Sequence, residues 1–260
     1  MDNNAQQINQ MQQPLRTHVT QVLEIILLLA VPTALFVCAA LRIEAAAGLT
    51  LFIAVVGVMG MMANYEASRP ALRQLMPTVV LGAVAAAGRV LFAVVPDIKP
   101  VSAITIIAGA CLGRRSGFMV GALAALVSNM FFGQGPWTPW QMYAWGLIGY
   151  LSGVLAQKGI ISSGRSVSVF GFLSCLLYGV ILNGWYIVGY VYPLTLTGAL
   201  AALLGGFSLD LVHAVATVVF LVLIWKPWTI RIRRVVRTYD LVSRCFNDSA
   251  KIFCPGSIEE

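Results

Sequence analysis

The sequence predicts an all-α polytopic membrane protein whose eight spans leave both termini in the cytoplasm. Of its 260 residues 59% are hydrophobic and only 10% charged, with a mean hydropathy of +0.84, whereas soluble proteins carry about 25% charged residues. Apolar runs close to the span length of about 20 residues recur along the chain. Of the 17 Lys and Arg residues, 14 collect in alternate connections between those runs and in the two tails. The net charge of +7 therefore sets orientation or meets anionic lipid, which argues against a nucleic-acid partner.

Residues 1–15 are polar and lack the basic start of a signal peptide. The apolar run that follows, 20–41, exceeds the roughly 7–15 residues of a signal-peptide core and reads as an uncleaved span. A second span covers 46–64. After the polar break at 66–70 six more follow, at 74–96, 101–113, 117–132, 140–157, 167–191 and 195–225. The fourth and fifth are short, but joined as one helix they would hold Arg114 and Arg115 in hydrocarbon, so a hairpin turning at 113–117 is expected. The chain divides into an N-terminal tail with two helices (1–70), a six-helix core (71–228) and a basic tail (229–260).

The basic residues test this order independently. With both ends inside, Arg16, Arg69, Arg73, Arg114, Arg115, Lys158, Arg165, Lys226, Arg231, Arg233, Arg234, Arg237, Arg244 and Lys251 are cytoplasmic. Only Arg42 and Lys99 fall outside, and Arg89 lies within a span. In the tail, 229–246 alternates Arg with Ile and Val, as a stop-transfer anchor does and as an interfacial helix on anionic lipid does. Cys38, Cys111 and Cys175 sit in apolar runs, Cys245 and Cys254 in the tail. With no CxxC among them, neither a disulfide framework nor a metal site is expected.

Small residues recur at four-residue spacing: Gly82/Ala86, Ala83/Ala87, Gly117/Gly121, Gly149/Gly153 and Ala202/Gly206. Such faces let helix backbones approach closely in lipid, and most are read as internal packing. The run GAVAAAG at 82–88 is so uniformly small that it offers a smooth groove for another protein's helix.

The segment SNMFFGQGPWTPWQM, 128–142, holds glycine and proline breakers, two tryptophans and three side-chain amides between two apolar runs. Amides near the apolar layer must be satisfied, and an aromatic belt does not explain Asn129, Gln141 and Asn183. With Lys99, Gln134, Trp137, Trp140, Trp145, Trp185, Tyr186, Tyr190 and Tyr192, they form the expected mouth of a pocket for a planar or amphipathic molecule. Three ionisable residues stand out within spans, Arg89, Asp210 and His213, and intramembrane charge is a functional signal by default. Arg89 has two readings of equal weight: an ion pair with Asp210 that fixes two helices, with His213 beside it, or a partner for an anionic group of a ligand. No GxSG nucleophile, GxGD motif or GxxxxGK[ST] loop occurs, so no catalytic residue, cofactor or metal is assigned.

From Ala83 to Val154 the chain resembles the substrate-binding S components of energy-coupling factor (ECF) vitamin transporters. The likeness rests on the small-residue first core helix, the VPDIKP turn, and IAGACLGRRSGFMVGALAALVSNMFFGQGPWTPWQM, and it extends over about 71–228. It implies a six-helix, non-enzymatic subunit in a prokaryotic cell membrane that binds a vitamin or related micronutrient near the outer face. It also implies partners, namely a coupling transmembrane subunit and two ATPase subunits, with Ala83 and Ala87 on the coupling-subunit face. Lys99, Asn129, Trp137, Gln141 and Asn183 then belong to the ligand mouth. Cobalamin is slightly favoured, and riboflavin, pantothenate and folate also suit an aromatic, amide-rich mouth. The two N-terminal spans depart from the family core. The competing readings are a stand-alone secondary transporter with an Arg89–Asp210 relay and a membrane-embedded enzyme using Asp210 and His213.

Overall fold

The computed structural model describes residues 2–41, 46–68 and 72–238. Arg42, Arg69, Arg244, Lys251, Cys245, Cys254 and the tail beyond Thr238 lie outside them. The described residues form eight helices and no strand: α1 (Asp2–Leu41), α2 (Ala46–Ala67), α3 (Leu72–Leu91), α4 (Val101–Leu112), α5 (Arg114–Phe132), α6 (Thr138–Gln157), α7 (Gly164–Tyr190) and α8 (Leu196–Thr238). Five contain stretches long and apolar enough to cross a membrane: Val19–Leu41, Ala46–Ala67, Arg114–Phe132, Gly164–Tyr190 and Leu196–Thr238. Large apolar side chains such as Phe36, Phe52, Leu91, Leu204 and Val222 lie exposed on the outside of the bundle, where lipid accommodates them and water would not. The chain is a multi-pass helical membrane protein.

At the centre stands α4, buried along its length from Val101 to Cys111 and touched by α3, α5, α6, α7 and α8. A helix hydrophobic on all sides belongs in a protein core. The turn expected at 113–117 is present, and it is tighter than expected. One residue, Gly113, separates α4 from α5, with φ at +96°, a backbone conformation that side chains with a Cβ rarely adopt.

The small-residue pairs explain how α5 and α6 meet. Gly117 and Gly121 on α5 face Gly149 and Trp145 on α6, and Gly153 lies against the backbone of Arg114. A Cβ at Gly117 or Gly149 would run into the other residue's carbonyl group, so the two backbones touch with no side chain between them. On α3, Gly82 rests on Leu123 of α5 and Ala85 and Ala86 are buried, which turns Ala83 and Ala87 to the outside.

Several expected boundaries move, and two of the shifts have a clear cause or consequence. The helix expected over 74–96 ends at Leu91, because Pro96 lacks an N–H and biases Val95 away from helix. The chain then turns through bonds such as Ala93 N to Val90 O at 3.1 Å. In the other direction α8 continues through Pro227 to Thr238, with Trp225 and Thr229 still buried.

The helix pair α1–α2 packs on α5, α6 and α7. It is fastened by a residue the sequence reading passed over, Glu24, a fourth ionisable residue within an apolar run, which is 0% exposed. Its carboxylate takes Arg114 Nε at 3.0 Å and Arg115 Nε at 2.5 Å, and also accepts from Asn64 Nδ2 at 3.1 Å and the Tyr150 hydroxyl at 2.8 Å. Arg114 also lies over the Tyr150 ring. The two arginines of the α4–α5 turn thus dock the N-terminal helices. Tyr143 reinforces the joint by donating to the Leu28 carbonyl at 2.5 Å.

Candidate functional site

Some fifteen residues along α5 from the Glu24 cluster, about 22 Å of helix, a second polar cluster forms where α3, α5 and α6 end or begin. Close packing of α3 on α5 brings Arg89, in the last turn of α3, beside Ser128 and Asn129. Its Nη1 donates to Ser128 Oγ and to Asn129 Oδ1, both at 2.7 Å. Asn129, fully buried, uses its amide nitrogen in turn for Thr138 Oγ1 at 3.1 Å and Gln141 Oε1 at 2.8 Å. Thr138 donates to Gln134 Oε1 at 2.8 Å, and Gln134 Nε2 reaches the Leu126 carbonyl at 3.0 Å. The GQGPWTPWQM turn is therefore folded onto the end of α5 by its own amides. Trp137 covers Gly135 and is 39% exposed.

One turn below Gln141, the buried Trp145 joins this network to the rest. Its Nε1 donates to Ser102 Oγ at 3.0 Å, and the same oxygen lies 2.9 Å from His213 Nε2. Its ring sits 4.8 Å from that of Tyr178, which meets the His213 ring edge-on. Arg89 Cζ is 5.1 Å and Lys99 Nζ 5.8 Å from the Trp145 ring centroid, both within cation–π range. Arg89 also lies 4.8 Å from the Phe132 centroid. Lys99 is paired with Asp97 at 2.5 Å.

Of the residues expected at the mouth, Arg89, Asn129, Gln134 and Gln141 come together, with Trp137 at their edge, and Lys99 meets them only through the Trp145 ring. The Arg89–Asp210 ion pair does not form. Asp210 instead accepts from Asn183 Nδ2 at 3.0 Å and fits against α7 where Gly179 leaves room, so Asn183 and Asp210 make a separate joint between α7 and α8. Trp140 is 0% exposed. It stacks on Trp185, which meets Tyr190 edge-on, and Tyr190 stacks on Tyr186, so this aromatic run lies along α6 and α7. The Trp140 Nε1 has no acceptor among the described residues. Ser102, Ser128, Thr138 and Tyr178 escaped the sequence reading, although the i, i+4 spacing of Gln141 and Trp145 and the adjacency of Ser128 to Asn129 were visible signals.

Residues 68–235 match the model of a family of unknown function, DUF6580. The chain belongs to the DUF6580 family. No curated protein and no solved structure matches it. The DUF6580 segment opens at the end of α2 and closes within α8, so both polar joints of α3 to α8 fall inside it, while Glu24, the residue that fastens α1, does not.

Within this DUF6580 core Asn129 is the node. Asn129→Leu removes the acceptor for Arg89 and the donor for Gln141, leaving buried polar groups unmatched. It is expected to lower stability by about 1–3 kcal/mol in a denaturant titration. A midpoint equal to wild type would mean the network adds nothing to the fold.

Proposed function

We propose that the chain is the substrate-binding S component of an ECF-type importer, a non-enzymatic membrane subunit that captures a vitamin or related micronutrient. In this reading eight spans leave both termini cytoplasmic, the Glu24 cluster faces inward, and the Arg89–Asn129–Gln141 cluster faces outward as the ligand mouth. The observation that carries it is the convergence of Arg89, Lys99, Asn129 and Gln141 at one end of a six-helix unit that one family model covers. The orientation of α3 supports the same reading, because Ala83 and Ala87 lie on the open face of the bundle while Gly82, Ala85 and Ala86 are buried. A coupling subunit and two ATPase subunits are the implied partners, in a prokaryotic cell membrane. The relay reading has less support, since Arg89 and Asp210 are bound to different neutral partners.

Purification of the tagged chain from its native membrane is expected to bring a coupling subunit and ATPase subunits with it. Ala83→Trp with Ala87→Trp should abolish that association while leaving the thermal midpoint of the purified chain unchanged, as both sites are exposed. A complex that survives both substitutions would assign the partner to another face. Uptake by the chain alone in liposomes, driven by a proton gradient without ATP, would reject the importer-subunit reading.

A further inference from the structure

We infer that the ligand of this site carries an oxyanion, a carboxylate or phosphate, that docks on the edge of Arg89; this rests on the binding-subunit reading above. Both hydrogen bonds from Arg89 to the protein leave from Nη1, and both end on neutral groups, Ser128 and Asn129. Among the described residues Arg89 has no ion pair. A strut between α3 and α5 needs only a neutral donor, so hydrogen bonding to Ser128 and Asn129 does not account for a charge at this depth.

The surroundings fix how the cation is presented. Phe132 and Trp145 both lie within cation–π range of the guanidinium and help hold it in place. Its Nε and Nη2 donors bind no described residue. Arg89 is half-buried, so that edge is reachable, and it matches the spacing of two oxygens on a carboxylate or phosphate. Lys99 stands beside the same indole and pairs with Asp97, so that carboxylate is already bonded to another cation and leaves the Arg89 edge without one. The other carboxylate at this end, Asp210, is held by Asn183. Phe132 and Trp137, both partly exposed, offer apolar surface for the body of the ligand. By this reasoning pantothenate and folate, which are carboxylates, fit the mouth better than riboflavin, which carries no oxyanion.

The test titrates the full-length protein in non-ionic detergent with matched pairs, pantothenate against panthenol and benzoate against benzamide, and with inorganic phosphate, following tryptophan fluorescence. At least one oxyanion is expected to bind, and an acid to bind about tenfold or more tighter than its neutral partner. Arg89→Gln should erase that preference and Arg89→Lys should retain part of it. Equal affinity for acid and neutral partner, or no response to any oxyanion in the folded wild-type protein, overturns the inference. Nanodiscs of phosphatidylcholine and of phosphatidylglycerol identify the source of the group. Benzoate affinity that is equal in both points to a soluble anion, and affinity lost in phosphatidylglycerol points to a lipid headgroup. Co-purification with the ATPase subunits is scored separately. If it holds while the acid preference fails, the binding subunit stands and the oxyanion falls; the reverse leaves an oxyanion site on a protein that is not an importer subunit.

Discussion

Replacing Arg114 and Arg115 together by alanine is expected to destabilise the protein by about 3–5 kcal/mol, because the fully buried Glu24 carboxylate is then left with neutral partners only. Either single replacement should have a far smaller effect, about 1 kcal/mol, since the remaining guanidinium still holds one carboxylate oxygen while Asn64 and Tyr150 stay in place. Glu24→Gln falls between them. The arginines it releases are 22% and 27% exposed at their side chains and can turn toward water, whereas Glu24 has no such exit. Unfolding in mixed micelles of increasing SDS fraction, measured for all four variants, checks the order. A double arginine variant as stable as the single ones would mean that the second ion pair adds nothing to the fold.

The second large effect is expected at Gly149. Alanine there adds one methyl group directed at the Gly117 carbonyl, and backbone cannot yield as a side chain would. The helices α5 and α6 must separate, which opens the packing of Phe118 and Trp145 on either side. A loss of about 3 kcal/mol or more follows, at the upper end of what overpacking produces. Gly164→Ala is the control, since a Cβ there meets nothing. The comparison is read as yield of monodisperse protein and as thermal midpoint in detergent. Equal midpoints for the two variants would show that the α5–α6 contact relaxes freely.

These two sites also mark what was legible in the sequence. Gly117/Gly121 and Gly149/Gly153 are visible as four-residue spacings, and they meet because backbone contact in lipid rewards small residues wherever they align. The turn at Gly113 was legible for a similar reason: two adjacent arginines cannot stay in hydrocarbon, so the chain must bend. Asn129 and Gln141 were recognisable as amides needing partners, and they became partners of each other. Glu24 was not recognised, since its value depends on residues about 90 positions away in the chain, and one carboxylate at the edge of an apolar run leaves the run's hydropathy high. The failed Arg89–Asp210 pair has the same origin. Opposite charges in separate spans suit each other on paper, but helix packing put Asn129 beside one and Asn183 beside the other.

The brevity of α4 sets how far apart its two polar ends lie. Its 12 residues extend about 18 Å, against roughly 30 Å of hydrocarbon in a bilayer. Lys99 sits just before its first turn, and Arg114 and Arg115 just after its last. The charged groups at its two ends are therefore separated by little more than half the hydrocarbon thickness of the membrane around it. On the importer-subunit reading proposed above, a solute held at Arg89 would already lie partway into the bilayer, and the stretch of protein between it and the opposite polar face would be correspondingly short.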